Sequence, residues 1–388
     1  MPRRRLANMQ DCEDLIRGCL FMGTGGGGPA EDGREAFTAA LEEGLEIEWV
    51  DVDDIPDDAW TVTCYGMGTI APTSPETQEE IARLGLVDRL GQRSMEVAVR
   101  EMEEHAQVKV GAIVPSELGP SSTPVPLVTG ARLGIPVVDG DYAGRAVPEE
   151  MQGTPYLYDK AGWPFTSVDR WGNVSIVKEA CSLHMMERIG KMLSVAAYGE
   201  CDMAAYLLAA GEMKEIVVRN TLTKSLDLGR TIRQASEHGE DPVVASLEFT
   251  GGWLLFEGEV VGKQWEDREG YMFGTTYIEG NGEFQGQTFR VWFKNENHVS
   301  WLGDEPFVTS PDLIVVVDRR SGEGITNTLL QAGQEVAVIG VRGLEAFRSE
   351  RGLGGAGPRY FGFDIDYVPI EERMERRYTY ENPNNPSE

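Results

Sequence analysis

Histidine and positive charge are scarce in this sequence. Four histidines, His105, His184, His238 and His298, serve 388 residues, and no HxH or HExxH pairing occurs among them. A metal-dependent hydrolase of the histidine-rich kind is therefore not expected. Lysine and arginine total 35 against 64 aspartates and glutamates, a formal charge of −29 with a pI near 4.5. A phosphate backbone needs a basic footprint, so nucleic acid is excluded as a partner, and an anionic membrane surface is disfavoured for the same reason. No run approaches the ~18 apolar residues of a membrane span. Met1-Pro2-Arg3-Arg4-Arg5 is basic, but no apolar segment follows it as in a secretory signal. Five scattered cysteines with no CxxC pair read as reduced thiols, so a cytoplasmic protein is expected.

The chain has ample apolar material, 41% of its residues, and its length favours two domains. Leu15, Cys19 and Met22 share one face of a predicted helix over Asp11–Met22, with Asp11 as N-cap and Gly23 as stop. Further helices are predicted at Glu31–Glu43, Pro75–Leu86, Met95–Glu104 and Pro124–Leu133. Strands are predicted at Glu46–Val52, Trp60–Tyr65, Val108–Val114 and Ile135–Val138. Alternating helices and apolar strands indicate an α/β N-terminal domain over 1–172. A domain over 173–372 follows, helical at Lys178–Leu208 and then β-rich and antiparallel. Its strands fall at Trp253–Val261, Tyr271–Glu279, Thr288–Asn295, Leu313–Asp318 and Glu335–Val341. Residues 373–388 are expected to be a flexible tail.

Several segments have the composition of a site. Thr24-Gly25-Gly26-Gly27-Gly28, after Gly23, satisfies GxGxxG. A helix rather than a strand precedes it, and no Walker lysine follows, so no nucleotide is expected. The glycines fit either a concavity of backbone N–H groups at the next helix or a tight helix–helix turn. Asp139-Gly140-Asp141 ends a buried strand, where α/β sheets bind ligands. Two such carboxylates suit a divalent ion or a general base; the alternative is a capped strand end with surface acids. Arg145 is placed to grip a substrate carboxylate, with Glu149 and Glu150 beside it. Glu117, after the strand Val108–Val114, projects into a polar loop of Ser121, Ser122 and Thr123, or else caps the helix at Pro124. Cys181 and His184, at i and i+3, form a candidate dyad, although cysteine is commonly a small core residue. Asn295-Glu296-Asn297 and the run from Phe361 to Tyr367 suit either a site between domains or turns; turns are favoured for Asp364 and Asp366.

Taken in order, these segments resemble the S-methyl-thiohydantoin desulfurase family, formerly a domain of unknown function (DUF917). The resemblance runs from about Asp11 to Pro369. It rests on Met22–Gly28, Thr123–Leu127, Leu133–Asp141, Gly144–Glu149, Phe293–Asn297, Ser310–Ile314 and Gly357–Asp364. It implies an α/β domain joined to a β-rich one, and a hydrolase acting on a thiohydantoin, hydantoin or related cyclic amide, with hydrolytic loss of sulfur. The family's Asp-Ala-Asp-Gly stands here as Asp139-Gly140-Asp141-Tyr142, and its Gly-Gly-Asn loop as Leu118-Gly119-Pro120-Ser121. The expected catalytic groups are Asp139, Asp141 and Glu117. The expected substrate contacts are Thr24, Gly25, Gly26, Gly27, Gly28, Arg145 and Glu149, and a divalent metal ion is left open at Asp139 and Asp141 with His184. The small-molecule substrate is the expected partner. A homo-oligomer, or a role as accessory subunit of a hydantoinase- or oxoprolinase-type assembly, stands as the alternative, together with a purely ligand-binding protein.

Overall fold

The computed structural model describes residues 4–381. Helices α1 (Met9–Met22), α2 (Ala30–Glu42), α3 (Pro75–Leu84), α4 (Ser94–Ala106) and α5 (Pro124–Leu133) belong to the first half. They are followed by α6 (Thr154–Leu157), α7 (Leu183–Ala196), α8 (Ala210–Ile216), α9 (Thr221–His238), α10 (Pro242–Thr250), α11 (Glu350–Ala356) and α12 (Ile370–Glu381). The strands are β1 (Arg4–Leu6), β2 (Ile47–Val50), β3 (Trp60–Gly68), β4 (Val110–Pro115), β5 (Val137–Val138), β6 (Gly140–Asp141), β7 (Phe165–Val168), β8 (Val174–Val177), β9 (Glu200–Ala209) and β10 (Val218–Arg219). β11 (Trp253–Arg268), β12 (Tyr271–Gly280), β13 (Thr288–Lys294), β14 (Glu296–Leu302), β15 (Glu305–Thr309), β16 (Leu313–Asp318) and β17 (Glu335–Val341) complete them.

The first sheet runs β1-β2-β5-β4-β3-β9-β7-β8. Its centre, β2 to β3, is parallel, and the strands outside it are antiparallel. Ile113 and Val137 pack on one face with Leu15, Phe37, Ala98 and Leu127 from α1, α2, α4 and α5. Val114 and Val138 pack on the other with Met186 of α7 and Met213 of α8. Burial on both faces is why β4 and β5 are nearly continuous apolar runs. The α/β reading of this half is borne out.

The Met- and Ala-rich stretch 178–208 is helical only through Ala196. Tyr198 and Gly199 turn the chain at φ 65° and 151°, and residues 200–209 become β9. Ala204, Ala205 and Leu208 carry helical propensity, but hydrogen bonding between β3 and β7 overrides it. The C-terminal sheet, β15-β14-β13-β12-β11-β17-β16, is antiparallel throughout and curls into a half-barrel, as its alternating runs indicated. β13 alternates between buried and half-exposed positions. β16 and β17 are apolar almost throughout because both their faces are covered.

Two finer expectations change. Asn8, not Asp11, caps α1, its side chain accepting from the Asp11 N–H at 3.1 Å. Residues 373–381, expected in the tail, belong to α12, whose Ile370 and Met374 dock one turn apart on the C-terminal core. The rest of that expectation, 382–388, lies outside the described residues.

The two halves are joined where α1 crosses α9. The backbones approach so closely that a Cβ at Gly18 would lie 1.8 Å from the Ser225 carbonyl oxygen, and one at Gly229 would lie 1.8 Å from that of Asp14. Buried Asp14 fixes the crossing with a two-pronged contact to Arg233, at 2.8 and 2.9 Å, and a bond from Arg17 at 2.8 Å. Substituting Gly229→Ala forces the helices apart, and the expected cost is roughly 1–3 kcal/mol. Urea unfolding measures it; an unchanged midpoint would show that the crossing is not under this constraint.

Candidate active site

A cleft of about 1250 Å³ opens between the carboxyl ends of β3 and β4 and the β13–β14 corner of the C-terminal sheet. This is the strand-end position where α/β sheets bind ligands. Gly27, Gly28, Glu117, Ser122, Glu149 and Glu296 line it. Thr24 and Gly25 are turned instead toward the C-terminal half. The Asn297 N–H donates to the Thr24 carbonyl at 2.8 Å, and the Asn327 N–H to that of Gly25 at 2.7 Å. The glycine run is thus more than a simple turn; it is the surface on which the β13–β14 corner docks.

Gly26 explains why the run is bare. A Cβ there would lie 1.8 Å from Glu296 Oε1 and 2.9 Å from its Cγ. Glu296 therefore occupies the space that any side chain at position 26 would take, and Oε1 accepts from the Gly27 N–H at 3.3 Å. Asn295 holds a left-handed φ of 54° to make the corner, with its Oδ1 accepting from the Met272 N–H at 2.9 Å. Asparagine suits that conformation.

Glu117 reaches the same glycine from the other side. The Val147 N–H donates to its Oε2 at 2.6 Å, and Ser122 Oγ lies 2.7 Å from Oε1 and 3.0 Å from the Gly27 carbonyl oxygen. One hydroxyl carries one proton. With Glu117 protonated, its O–H can donate to Ser122, which donates onward to Gly27. With Glu117 ionised, Ser122 turns to it, and the Gly27 carbonyl keeps bonds from the Ser121 and Ser122 N–H groups at 3.1 and 3.2 Å. Both protonation states are satisfied without moving a heavy atom. Glu296, directly, and Glu117, through Ser122, thus flank a single residue, Gly27.

Burial raises the pKa of both carboxyls well above the ordinary range. For Glu296 the next cause is the charge of Glu117, opposed by Arg145 and Lys191. For Glu117, bonds from Ser122 and Val147 and the charge of Lys191 oppose burial. Lys191, buried on α7, donates to the Gly68 carbonyl at 2.7 Å and sits 4.2 Å from the centre of the Tyr271 ring. Lys294 lies over the same ring at 4.0 Å and pairs with Glu149 at 2.6 Å. Tyr271 donates to Glu187 at 2.5 Å, and Tyr206 to Glu150 at 2.6 Å. The sequence named Glu149 and Glu150 among these groups, and Lys294 only within the Phe293–Asn297 segment, but gave no sign of Lys191, Glu187 or Tyr271. They look like ordinary amphipathic helix and strand residues, and only the contacts of the Tyr271 ring with α7 and with Lys294 bring them together.

The other expected site residues go elsewhere. Asp139 faces α9: its Oδ1 accepts from the Thr223 N–H at 3.0 Å, its Oδ2 from the Thr223 hydroxyl at 2.5 Å, and its carbonyl from the Asn220 N–H at 2.8 Å. It satisfies the first turn of a helix eighty residues away in sequence. Asp141 closes a turn, its Oδ1 accepting from the Ala143 and Gly144 N–H groups at 2.6 and 2.5 Å. Neither lines the cleft, and both are buried, so they cap a helix and a turn without being the surface acids of the alternative reading. Arg145 is buried and donates to Thr24 Oγ1, the Asn297 carbonyl and the Ala146 carbonyl, so it clamps the loop and does not reach the cleft. Cys181 precedes the N-cap of α7, and both it and His184 are exposed, so no buried dyad forms. Among the described residues, no three His, Cys, Asp or Glu side chains are grouped to hold a metal ion, so Asp139, Asp141 and His184 do not combine as a ligand set.

The raised carboxyls give a sign for pH. Burial pushes Asp141 and Asp202 up from 3.8 to about 6, and Glu200 from 4.5 to about 7. The folded chain therefore binds more protons than the unfolded one between those values. Their contribution to stability is full below about pH 4 and is lost as the pH rises through 6 to 7. Stability measured by urea at fixed ionic strength is expected to fall from pH 5 to pH 8; a rise over that interval would contradict the burial of these groups.

The chain matches two adjoining family models, the S-Me-THD-like N-terminal domain over residues 10–179 and the S-Me-THD-like C-terminal domain over 181–370. A crystal structure of a protein from Chromobacterium violaceum has the same fold, with a TM-score of 0.75 at 21% identity, covering 95% of this chain and 100% of that one. No functionally curated protein matches the chain. No described helix is long and apolar enough to cross a membrane. With both domain models matched end to end over nearly its whole length, the chain belongs to the S-Me-THD-like family.

Proposed function

We propose that this protein hydrolyses a thiohydantoin- or hydantoin-like cyclic amide, with Glu117 and Glu296 as its acid–base pair. The observation that carries this reading is the placement of buried Glu296 and half-buried Glu117 on either side of Gly27, both lining the cleft and both with raised pKa. Two such groups sharing one proton near neutrality supply a base and an acid at the same time.

For an S-alkylated ring the steps balance as follows. The ionised carboxylate takes a proton from water, whose oxygen bonds to the ring carbon between the two nitrogens. The adjacent ring nitrogen accepts the electron pair of the C=N bond and takes the proton of the partner carboxyl. The added hydroxyl then gives its proton to that carboxylate as its C–O bond becomes a carbonyl and the C–S bond breaks, and the carboxyl protonated by water delivers its proton to the departing sulfur. One water is consumed, and the products are a cyclic urea carbonyl and a thiol. The pair returns to one proton between two carboxyls. Lys191, held over Tyr271 and close enough to act on Glu117 and Glu296, stabilises negative charge as it develops. Glu149, fixed by Lys294, is an acceptor for a ring N–H.

Glu117→Gln and Glu296→Gln are each expected to lower kcat by about 10²–10⁴-fold while the protein stays folded. Thiol release by the purified chain, supplied with S-methyl-thiohydantoins, measures this. Turnover by the chain alone distinguishes a catalyst from an accessory subunit, and full activity in either variant would remove that residue from the mechanism. The pH profile of kcat/KM is expected to be bell-shaped near neutrality in the wild type and to lose one limb in each variant. An unchanged bell in both would show that other groups titrate.

A further inference from the structure

A second, smaller cavity lies behind the site, separated from the cleft by Val147, which borders both. Its volume is about 70 Å³, several times the ~10–15 Å³ that one water molecule needs. Most of its wall is apolar, including Met22, Leu313, Leu344 and Phe347, and two of its polar members are Arg145 and His298.

These two side chains are incompletely satisfied. His298 is 1% exposed, stacks on Phe361 with ring centres 4.0 Å apart and lies beside the Lys294 backbone, with no hydrogen bond of good geometry at Nδ1 or Nε2. A buried imidazole without a partner calls for a bound group. Burial, followed by the charges of Arg145 and Lys294, holds its pKa well below 6.5, so the ring is neutral and presents one N–H donor. Arg145 is 7% exposed, and its bonds run to neutral oxygens: the Ala146 carbonyl at 3.0 Å, Thr24 Oγ1 at 2.8 Å and the Asn297 carbonyl at 3.1 Å. The carboxylates that act on it through space are Glu296, Glu117 and Asp312. Asp312 is bound to Arg348 at 3.0 Å, and the other two are the site pair, with raised pKa. Buried cations are ordinarily paired. Here a guanidinium without a bonded counter-charge and an imidazole without a partner border the same mostly apolar space.

We infer that this inner cavity is a binding site for a small monovalent anion of halide size, held between the Arg145 guanidinium and the His298 ring. An apolar wall with a few N–H donors suits a weakly hydrated, polarisable ion such as chloride or bromide and disfavours fluoride or a bulky carboxylate. The site is independent of the reaction proposed for the cleft.

Bromide is the probe. Crystals of the full chain grown or soaked in sodium bromide are expected to show an anomalous peak between the Arg145 guanidinium and the His298 ring. In solution, sodium bromide at saturating concentration is expected to raise Tm by roughly 3 °C over sodium gluconate of equal ionic strength. The gluconate control removes the general screening to which a chain of charge −29 responds. His298→Phe preserves the stack on Phe361 and removes the N–H, so the bromide–gluconate difference is expected to disappear. Absence of the peak from wild-type crystals overturns the inference whatever the variant does, as does an undiminished difference in a folded His298→Phe protein.

Discussion

The site depends on one close approach: the backbone of Gly26 against the carboxylate of Glu296. The rest of the architecture can be traced to what it takes to bring those groups together and keep them there. The crossing of α1 and α9, with Gly18 and Gly229 giving up their side chains, fixes the direction in which α1 delivers the glycine run. Arg145 holds the loop to the Asn297 carbonyl, while Asn297 and Asn327 donate to Thr24 and Gly25. Asn295 turns the corner that presents Glu296. On the other side, β4 ends at Pro115 and the chain brings Glu117 and Ser122 to the Gly27 carbonyl. One residue, Gly27, is thereby flanked by acids from two halves of the chain, and neither half has the pair alone.

Electrostatics explains why this arrangement has chemical potential. Carboxylates outnumber cations throughout the chain, and several of them line the cleft. A buried acid without a bonded cation moves toward its neutral form, and one beside a second acid moves further. Lys191 limits this effect: its charge reaches Glu117, Glu150, Glu187 and Glu296. With few cations buried in the cleft and several acids facing them, a shared proton is the natural way to balance charge near neutrality.

The fold was readable from sequence wherever a periodic pattern met a simple environment. The half-barrel strands alternate because one face is covered, and β4 and β5 are apolar because two faces are. β9 was not readable, since alanine and leucine favour a helix and only the strands on either side make it extended. At the site, Glu117 could be found because it follows a buried strand. Asp139 satisfied the same rule and was misplaced, because the helix it caps begins at Thr221 and nothing local to residue 139 announces it. Glu296 was visible as an acid between two asparagines, a composition that a turn shares, and as part of the Phe293–Asn297 segment that carries the resemblance. Lys191 and Glu187 carried no signal, since their significance lies in the Tyr271 ring, eighty-odd residues further along, that they meet in the fold.

The central claim is that Glu117 and Glu296 hold a proton between them at neutral pH. Infrared difference spectroscopy of the wild type against Glu296→Gln observes it directly, because a protonated carboxyl has a carbonyl stretch distinct from that of a carboxylate. The expected difference spectrum at pH 7 contains a protonated-carboxyl band that persists far above the ordinary titration range of glutamate and is lost in alkaline solution. A difference spectrum containing only carboxylate bands at pH 7 would contradict the account.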